Sequence, residues 1–184
     1  DSLCWLWLYA ITWTDYMNPM HVITPTQLLR KKWYRLDYWL AFGLGSGLSP
    51  KAPGTMGTAI AVPFYVLLAQ LSAPWYALVM VATAAIGVWL CQSAVNALGQ
   101  HDHKAIVWDE MVGYWWAMWL LPATPWVMLA AFISFRLFDI WKPWPISWLD
   151  HHVKGGLGVM ADDLAAAVLA YLGVQLVLVV SALL

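Results

Sequence analysis

Apolar residues fall in five stretches along the chain, about 56–71, 75–98, 106–121, 126–140 and 164–184, and polar residues collect unevenly between them. At 1.5 Å per residue the second and fifth stretches are long enough to cross about 30 Å of hydrocarbon as helices, whereas the others are short or end in charges. The connections alternate in kind. "SAP" at 72–74 and "PATP" at 122–125 carry no charge, while "GQHDHKA" at 99–105 and the stretch from Trp141 to Gly158 hold nearly every polar group. The pattern predicts an all-α helical bundle of about five hydrophobic helices, some short or re-entrant, with their polar ends on one side. Re-entry suits "WLAFGLGSGLSPKAPGTMG" at 39–57, and Pro63 is placed to interrupt the first stretch. No internal repeat or low-complexity segment is evident.

Composition changes the expected solvent. Of 184 residues, 62% are hydrophobic and 10% charged, with 15 Trp and a mean hydropathy of +0.66. Ordinary soluble domains carry about 25% charged residues, so the expectation is an integral membrane protein of one domain. A net charge of -1 offers no basic face for phosphate backbones, which sets nucleic acid aside as a partner. Cys4 and Cys91 lie far apart, without disulfide or metal-ligand spacing, and read as packing residues. The chain opens on Asp, and "DSLCWLWLYAITW" has no basic flank, so it does not read as a secretory signal. Met17 or Met20 is the expected natural start, and residues 1–16 are assigned no function. Residues 1–38 are read as an N-terminal extension of a membrane domain covering 39–184.

All the basic residues (Arg30, Lys31, Lys32, Arg35, Lys51, Lys104, Arg136, Lys142 and Lys154) precede the first stretch or lie at ends facing the charged connections. Under the positive-inside rule that side faces the cytoplasm. Asp102, Asp109, Glu110, Asp139, Asp150, Asp162 and Asp163 fall on the same side, so the fold could gather them into one site.

A charge deep in a bilayer costs about 2.5–3.5 kcal/mol on insertion scales, so Asp109 and Glu110 at the head of "DEMVGYWWAMWLL" require a partner or water. Favourable placement at a helix start is the plain alternative to a metal-binding element. Adjacent helical residues point about 100° apart, so one of the two is expected to face a given site. Asp162 and Asp163 read as opening the last helix after "KGGLGVMA", where two carboxylates repel unless a cation joins them. Oxygen-only ligands of this kind suit Mg²⁺. Asp139 follows Arg136 by three positions, which fits a helical ion pair as well as a ligand beside cations able to hold phosphate.

"GLGSGLSPKAPGTMG" is glycine-rich without the Lys-Ser or Lys-Thr of a P-loop; Lys51, Ser46, Ser49 and Thr55 are its available donors for an anion. His101 and His103, in "HDH", could protonate a leaving alkoxide, although incidental loop histidines read equally well. Position 97 is Ala97, where a cysteine phosphatase loop built on Cys91 needs Arg, and neither a DxDx[TV] motif nor a Ser triad is present. Any chemistry here is expected to be metal-assisted.

Taken together, "AFGLGSGLSPKAPGTMG", "HDHKAIVWDEMVG", "FRLFDIWKPWPISWLD" and "GGLGVMADDLAA" strongly resemble the phosphatidylglycerophosphatase A family, in family order over about residues 40–170. The resemblance implies a largely helical phosphatase domain in a bacterial cytoplasmic (inner) membrane, a Mg²⁺-dependent phosphomonoesterase that makes phosphatidylglycerol from phosphatidylglycerophosphate. It directs functional interest to Asp109, Glu110, Asp139, Asp162 and Asp163 as metal and catalytic carboxylates. Lys51, Thr55, Arg136, Lys142 and Lys154 become candidate phosphate contacts, with His101 or His103 as acid and the glycerophospholipid held in the bilayer. Two rivals remain. A CDP-alcohol phosphotransferase needs an Asp-Gly…Ala-Arg signature that is absent, and an ion-coupled transporter would place acids near the midplane rather than at one interface.

Overall fold

The structure, a computed structural model, describes residues 23–100 and 103–183, and all regular structure among them is helical. Helix α1 (Pro25–Lys31) starts at Thr24, whose hydroxyl accepts from Gln27 N while the Gln27 side chain accepts from Thr24 N. This reciprocal cap satisfies two amides that have no partner inside the helix. Helix α2 (Leu36–Ala41) leads into a 3₁₀ segment, Gly43–Leu48. The main bundle follows: α3 (Pro53–Leu68), α4 (Ala73–Leu98), α5 (Trp108–Ala117), α6 (Pro125–Trp141), the short α7 (Ile146–His152) and α8 (Gly155–Leu183).

Each of the five apolar stretches is thus a helix, but two boundaries differ from expectation. Helix α5 has ten residues, about 15 Å, well short of a bilayer. It is the buried centre of the bundle, packed by α3, α4, α6 and α8, with Met111, Val112, Tyr114 and Ala117 inaccessible. Polar edges of aromatic residues on α5 and α4 fix it in place. Trp115 Nε1 donates to Ala61 O at 3.0 Å, Trp108 Nε1 to Thr83 O at 3.2 Å, and the Tyr76 hydroxyl to Trp115 O at 2.7 Å.

Helix α8 begins at Gly155, ahead of the pair Asp162 and Asp163, not with it. The pair therefore lies about 11 Å along the helix, beyond the reach of its N-terminal amides. Gly155 starts α8 with a left-handed backbone, φ 73°, and Gly156 is helical where α8 crosses α4 at close range. Gly156 N donates to the Gln92 side chain at 2.7 Å, and a Cβ on Gly156 would overlap the backbone oxygen of Val88. Gly156→Val is expected to destabilise the protein by about 1–3 kcal/mol, the usual range for overpacking. An unchanged chemical-denaturation midpoint would refute that crossing.

A buried acid outside the main site ties α2 to α4. Asp37 accepts from Arg35 Nε and Nη2 at 2.8 and 2.6 Å and from the Ser93 hydroxyl at 2.7 Å. The hydrogen bond from Arg35 is the chief cause that lowers the Asp37 pKa from 3.8 to about 2. Because the folded-state value is depressed, the stabilisation is complete above 3.8 and is lost as pH falls through about 2. Asp37→Asn should therefore be less stable than wild type at neutral pH, with a gap that closes below pH 4 in paired denaturation curves. A gap that is constant with pH would contradict this.

Two helices, Ala73–Leu98 and Gly155–Leu183, are long and apolar enough to cross a membrane, and only 28% and 22% of their most apolar windows are buried. The core helix of a water-soluble protein is mostly buried, whereas these two helices leave long apolar faces exposed. The Lys and Arg residues of the bundle sit where α3, α5 and α8 begin and where α6 ends, which is one end of it; the connections at 69–74 and 118–126 carry no charge.

Candidate active site

At that charged end, the first turn of α5, the last turns of α6 and the third turn of α8 face one another across a cleft of about 520 Å³. Lys104 and the start of α3 complete its lining. Residues 105–107 enter the bundle between α2 and α3, where Val107 N donates to Ala41 O at 2.9 Å, and this buried bond sets where α5 begins. Asp109 and Glu110 follow at once, in the first turn of α5.

Asp109, Glu110 and Asp163 each direct a carboxylate oxygen to a common point, with the three oxygens within 4.8 Å of one another. Asp109 is 7% exposed and Asp163 3%. Oδ1 of Asp109 and Oδ2 of Asp163 are buried with no hydrogen-bond partner. Leaving carboxylate oxygens unpaired costs free energy, and gathering like charges costs more. A hard divalent cation removes both costs, and an all-carboxylate donor set suits one that prefers oxygen. Both members of the 109–110 pair reach the cluster. The 100° step between them is bridged because the glutamate side chain is one methylene longer.

The other two expected acids line the same cleft but are tied to cations. Asp139 Oδ2 lies 2.6 Å from Arg136 Nη1, which also stands 3.5 Å from Glu110 Oε1. Asp162 Oδ2 accepts from Lys142 Nζ at 2.7 Å, and Lys142 also donates to Asp150 at 2.8 Å. Burial disfavours the Lys142 cation, but its hydrogen bonds to Asp150 and Asp162 outweigh that and raise its pKa above the usual lysine range. Asp150, pulled the other way by Lys142, is held below the usual carboxylate range despite its burial. Lys142 has left-handed backbone, φ 47°, just past the end of α6, and this turn carries the ammonium back into the cleft. Across the lining, five carboxylates face three cations, an excess of two negative charges that one divalent ion would cancel.

The glycine-rich segment contributes differently from expectation. Gly47 and Gly57 are spaces for the chain at Ala105 and Val107, and Ser46 donates to Gly43 O at 2.8 Å within its own loop. Of its glycines, Gly54 faces the site. A Cβ there would overlap Glu110 Oε1 and lie 2.9 and 3.0 Å from the Arg136 guanidinium nitrogens. Thr55, Arg136 and Lys142 line the cleft as expected, whereas Lys51, Lys154 and His103 are not among its lining residues. Lys154 donates to Asp150 O at 3.2 Å, and His103 Nδ1 accepts from Ala105 N at 3.1 Å. His101 lies outside the described residues. Lys104 and Gly54 carry no distinctive sequence signal, one being a lone lysine in a polar connection and the other a glycine after proline.

Comparison with known proteins follows the same segments. The family model described as phosphatidylglycerophosphatase A matches residues 39–178. A phosphatidylglycerophosphatase A of Escherichia coli (strain K12) is 49% identical over 134 residues, covering 71% of this chain and 77% of its own. One from Haemophilus influenzae is 42% identical over 133 residues, covering 71% and 82%. A protein of Bacteroides thetaiotaomicron, named provisionally a phosphatidylinositol-3-phosphatase, is 39% identical over 146 residues, covering 74% and 90%. No solved structure matches the chain.

Proposed function

The chain belongs to the phosphatidylglycerophosphatase A family, and from that premise we propose that its carboxylate cleft is the Mg²⁺-dependent centre that dephosphorylates phosphatidylglycerophosphate at a membrane surface. The enzyme is a lipid phosphatase of phosphatidylglycerol synthesis. One observation carries the assignment of the site: three carboxylates, two of them almost fully buried, converge beside three cations at the one charged end of an apolar bundle.

Asp109, Glu110 and Asp163 would hold the ion, which supplies Lewis-acid polarisation of a phosphoryl oxygen. Arg136, Lys142 and Lys104, with the Thr55 hydroxyl, bind the remaining phosphoryl oxygens and stabilise charge on the transferring group. Asp139 and Asp162 serve mainly to aim Arg136 and Lys142, because each is hydrogen-bonded or ion-paired to its cation. Water attacks phosphorus, the bond from phosphorus to the glycerol oxygen breaks, and the alkoxide takes up a proton as inorganic phosphate leaves. The base is a cleft carboxylate, since no histidine among the described residues lines the cleft.

The phosphatase domain spans 39–184 and lies in the bacterial inner membrane as a bundle of five apolar helices. Helices α4 and α8 cross it fully, and α5 is shielded from lipid by its neighbours. The charged end faces the cytoplasm, which is the orientation that the gathered Lys and Arg residues favour.

Purified protein in detergent micelles should release phosphate from phosphatidylglycerophosphate with Mg²⁺ and not with a chelator. A phosphatidylinositol monophosphate run beside it tests the headgroup; faster release from that lipid would transfer the assignment to it. Lys104 lines the cleft and, among the described residues, pairs with no carboxylate, so Lys104→Ala should act on binding. KM is expected to rise about tenfold with kcat changed less, because the lost charge attracts substrate and transition state alike. A fall confined to kcat would place Lys104 in the chemical step instead.

A further inference from the structure

A second hollow, of about 660 Å³, lies between α3 and α6 with Tyr114 of α5 at its floor. It is almost entirely apolar, and it is built on the same faces of the same three helices as the cleft. On α3 the cleft residue Thr55 is followed four positions on by the groove residue Ala59. On α5 Glu110 is followed four on by Tyr114, and on α6 Arg136 is preceded four back by Phe132. Four residues return to the same side of a helix. All three helices therefore change from polar to apolar over four residues, about 6 Å, along one crevice.

We propose that this crevice seats one acyl chain of the lipid substrate and admits it sideways from the bilayer. The proposal rests on the phosphatase reading above, because it places the phosphate at Arg136 and runs the chain away from it. The substrate is an amphiphile whose polar end belongs in the cleft, and the crevice has the matching order of polarity. Helices α3 and α6 touch only sparsely, so the space between them opens to the side. Pro63, in the groove wall, has no N–H to give to the carbonyl of Ala59, a weak point in α3 at the same level. The smaller apolar hollow, about 280 Å³ between α4 and α8, has no such relation to the cleft, since none of its residues follows or precedes a cleft residue by four positions.

The test compares dipalmitoyl and dihexanoyl phosphatidylglycerophosphate as substrates. Val66 lies in the groove two turns beyond Ala59, so Val66→Trp should lower kcat/KM for the dipalmitoyl lipid by about tenfold and leave the dihexanoyl lipid nearly unchanged. Ala59→Trp, next to the cleft, should impair both, and Val168→Trp in the smaller hollow should impair neither. Wild-type rates on the dipalmitoyl lipid in both groove variants, or an equal loss in Val168→Trp, would overturn the proposal. A variant that fails to fold is replaced by photocrosslinking of wild type with a diazirine-tailed substrate. Adducts on α3 and α6 inside the crevice are expected, and adducts spread over the outer faces of α4 and α8 would contradict them. No phosphate release by wild type from either lipid would instead overturn the phosphatase reading.

Discussion

Asp163→Asn is expected to cut phosphate release by about a thousandfold and, at the same time, to make the metal-free protein more stable. Asp163 is buried, one of its oxygens has no hydrogen-bond partner, and it shares a 4.8 Å cluster with Asp109 and Glu110. Without a cation these charges repel in a medium that screens poorly, so replacing one by a neutral amide of the same shape should add about 1–3 kcal/mol of stability. With Mg²⁺ the order reverses. A ligand at a thousand times its Kd stabilises the protein that binds it by about 4.1 kcal/mol, and the variant forgoes that gain. The loss of turnover follows from removing an ion that contributes several kcal/mol to the transition state, at about 1.4 kcal/mol per factor of ten. Thermal unfolding with and without Mg²⁺, paired with phosphate assays, reads all three effects. Activity within threefold of wild type would remove Asp163 from the site, and a lower melting temperature without metal would refute the electrostatic reading.

Gly54→Ala is the next largest expected effect, about a hundredfold loss of activity with the fold intact. In a helix alanine is ordinarily the better residue by about 1 kcal/mol. Here its methyl group would occupy the space of the Glu110 carboxylate and press on the Arg136 guanidinium. Both obstacles are ends of long side chains, so the protein can yield by moving them without disturbing its backbone. That movement displaces a ligand oxygen and a phosphate contact together, and displacements of about 1 Å cost about a hundredfold in sites of this kind. A melting temperature near wild type with kcat reduced is the expected pair of results. Full activity would mean that neither side chain works in the position observed.

How far the chain could be read beforehand is clear from particular residues. Periodic apolar stretches located all five helices, because a helix that faces lipid or a core must be apolar and its connections need not be. The gathering of Asp109, Glu110, Asp139, Asp162 and Asp163 also followed, since alternating connections return each pair to the same end. The start of α8 did not follow. "GGLG" has the composition of a loop, and only the crossing with α4 at Val88 and Gln92 makes a helical glycine necessary at 156. The division of the acids into a cluster of three and two held by cations was also hidden. It depends on where Lys142 swings after α6 and on how Arg136 reaches across to Glu110, which are tertiary facts. Lys51 and Lys154, expected as phosphate contacts, do not line the cleft, and Lys104 does.

The central claim is that Asp109, Glu110 and Asp163 together form a divalent cation site. Its most direct test is binding of Mn²⁺, in place of Mg²⁺, to purified protein followed by electron paramagnetic resonance, with no substrate present. Wild type should give saturable binding that Mg²⁺ competes away. Asp109→Asn, Glu110→Gln and Asp163→Asn should each lose it, while Asp37→Asn, which alters an acid remote from the cleft, should keep it. Undiminished binding in all three cluster variants would contradict the account.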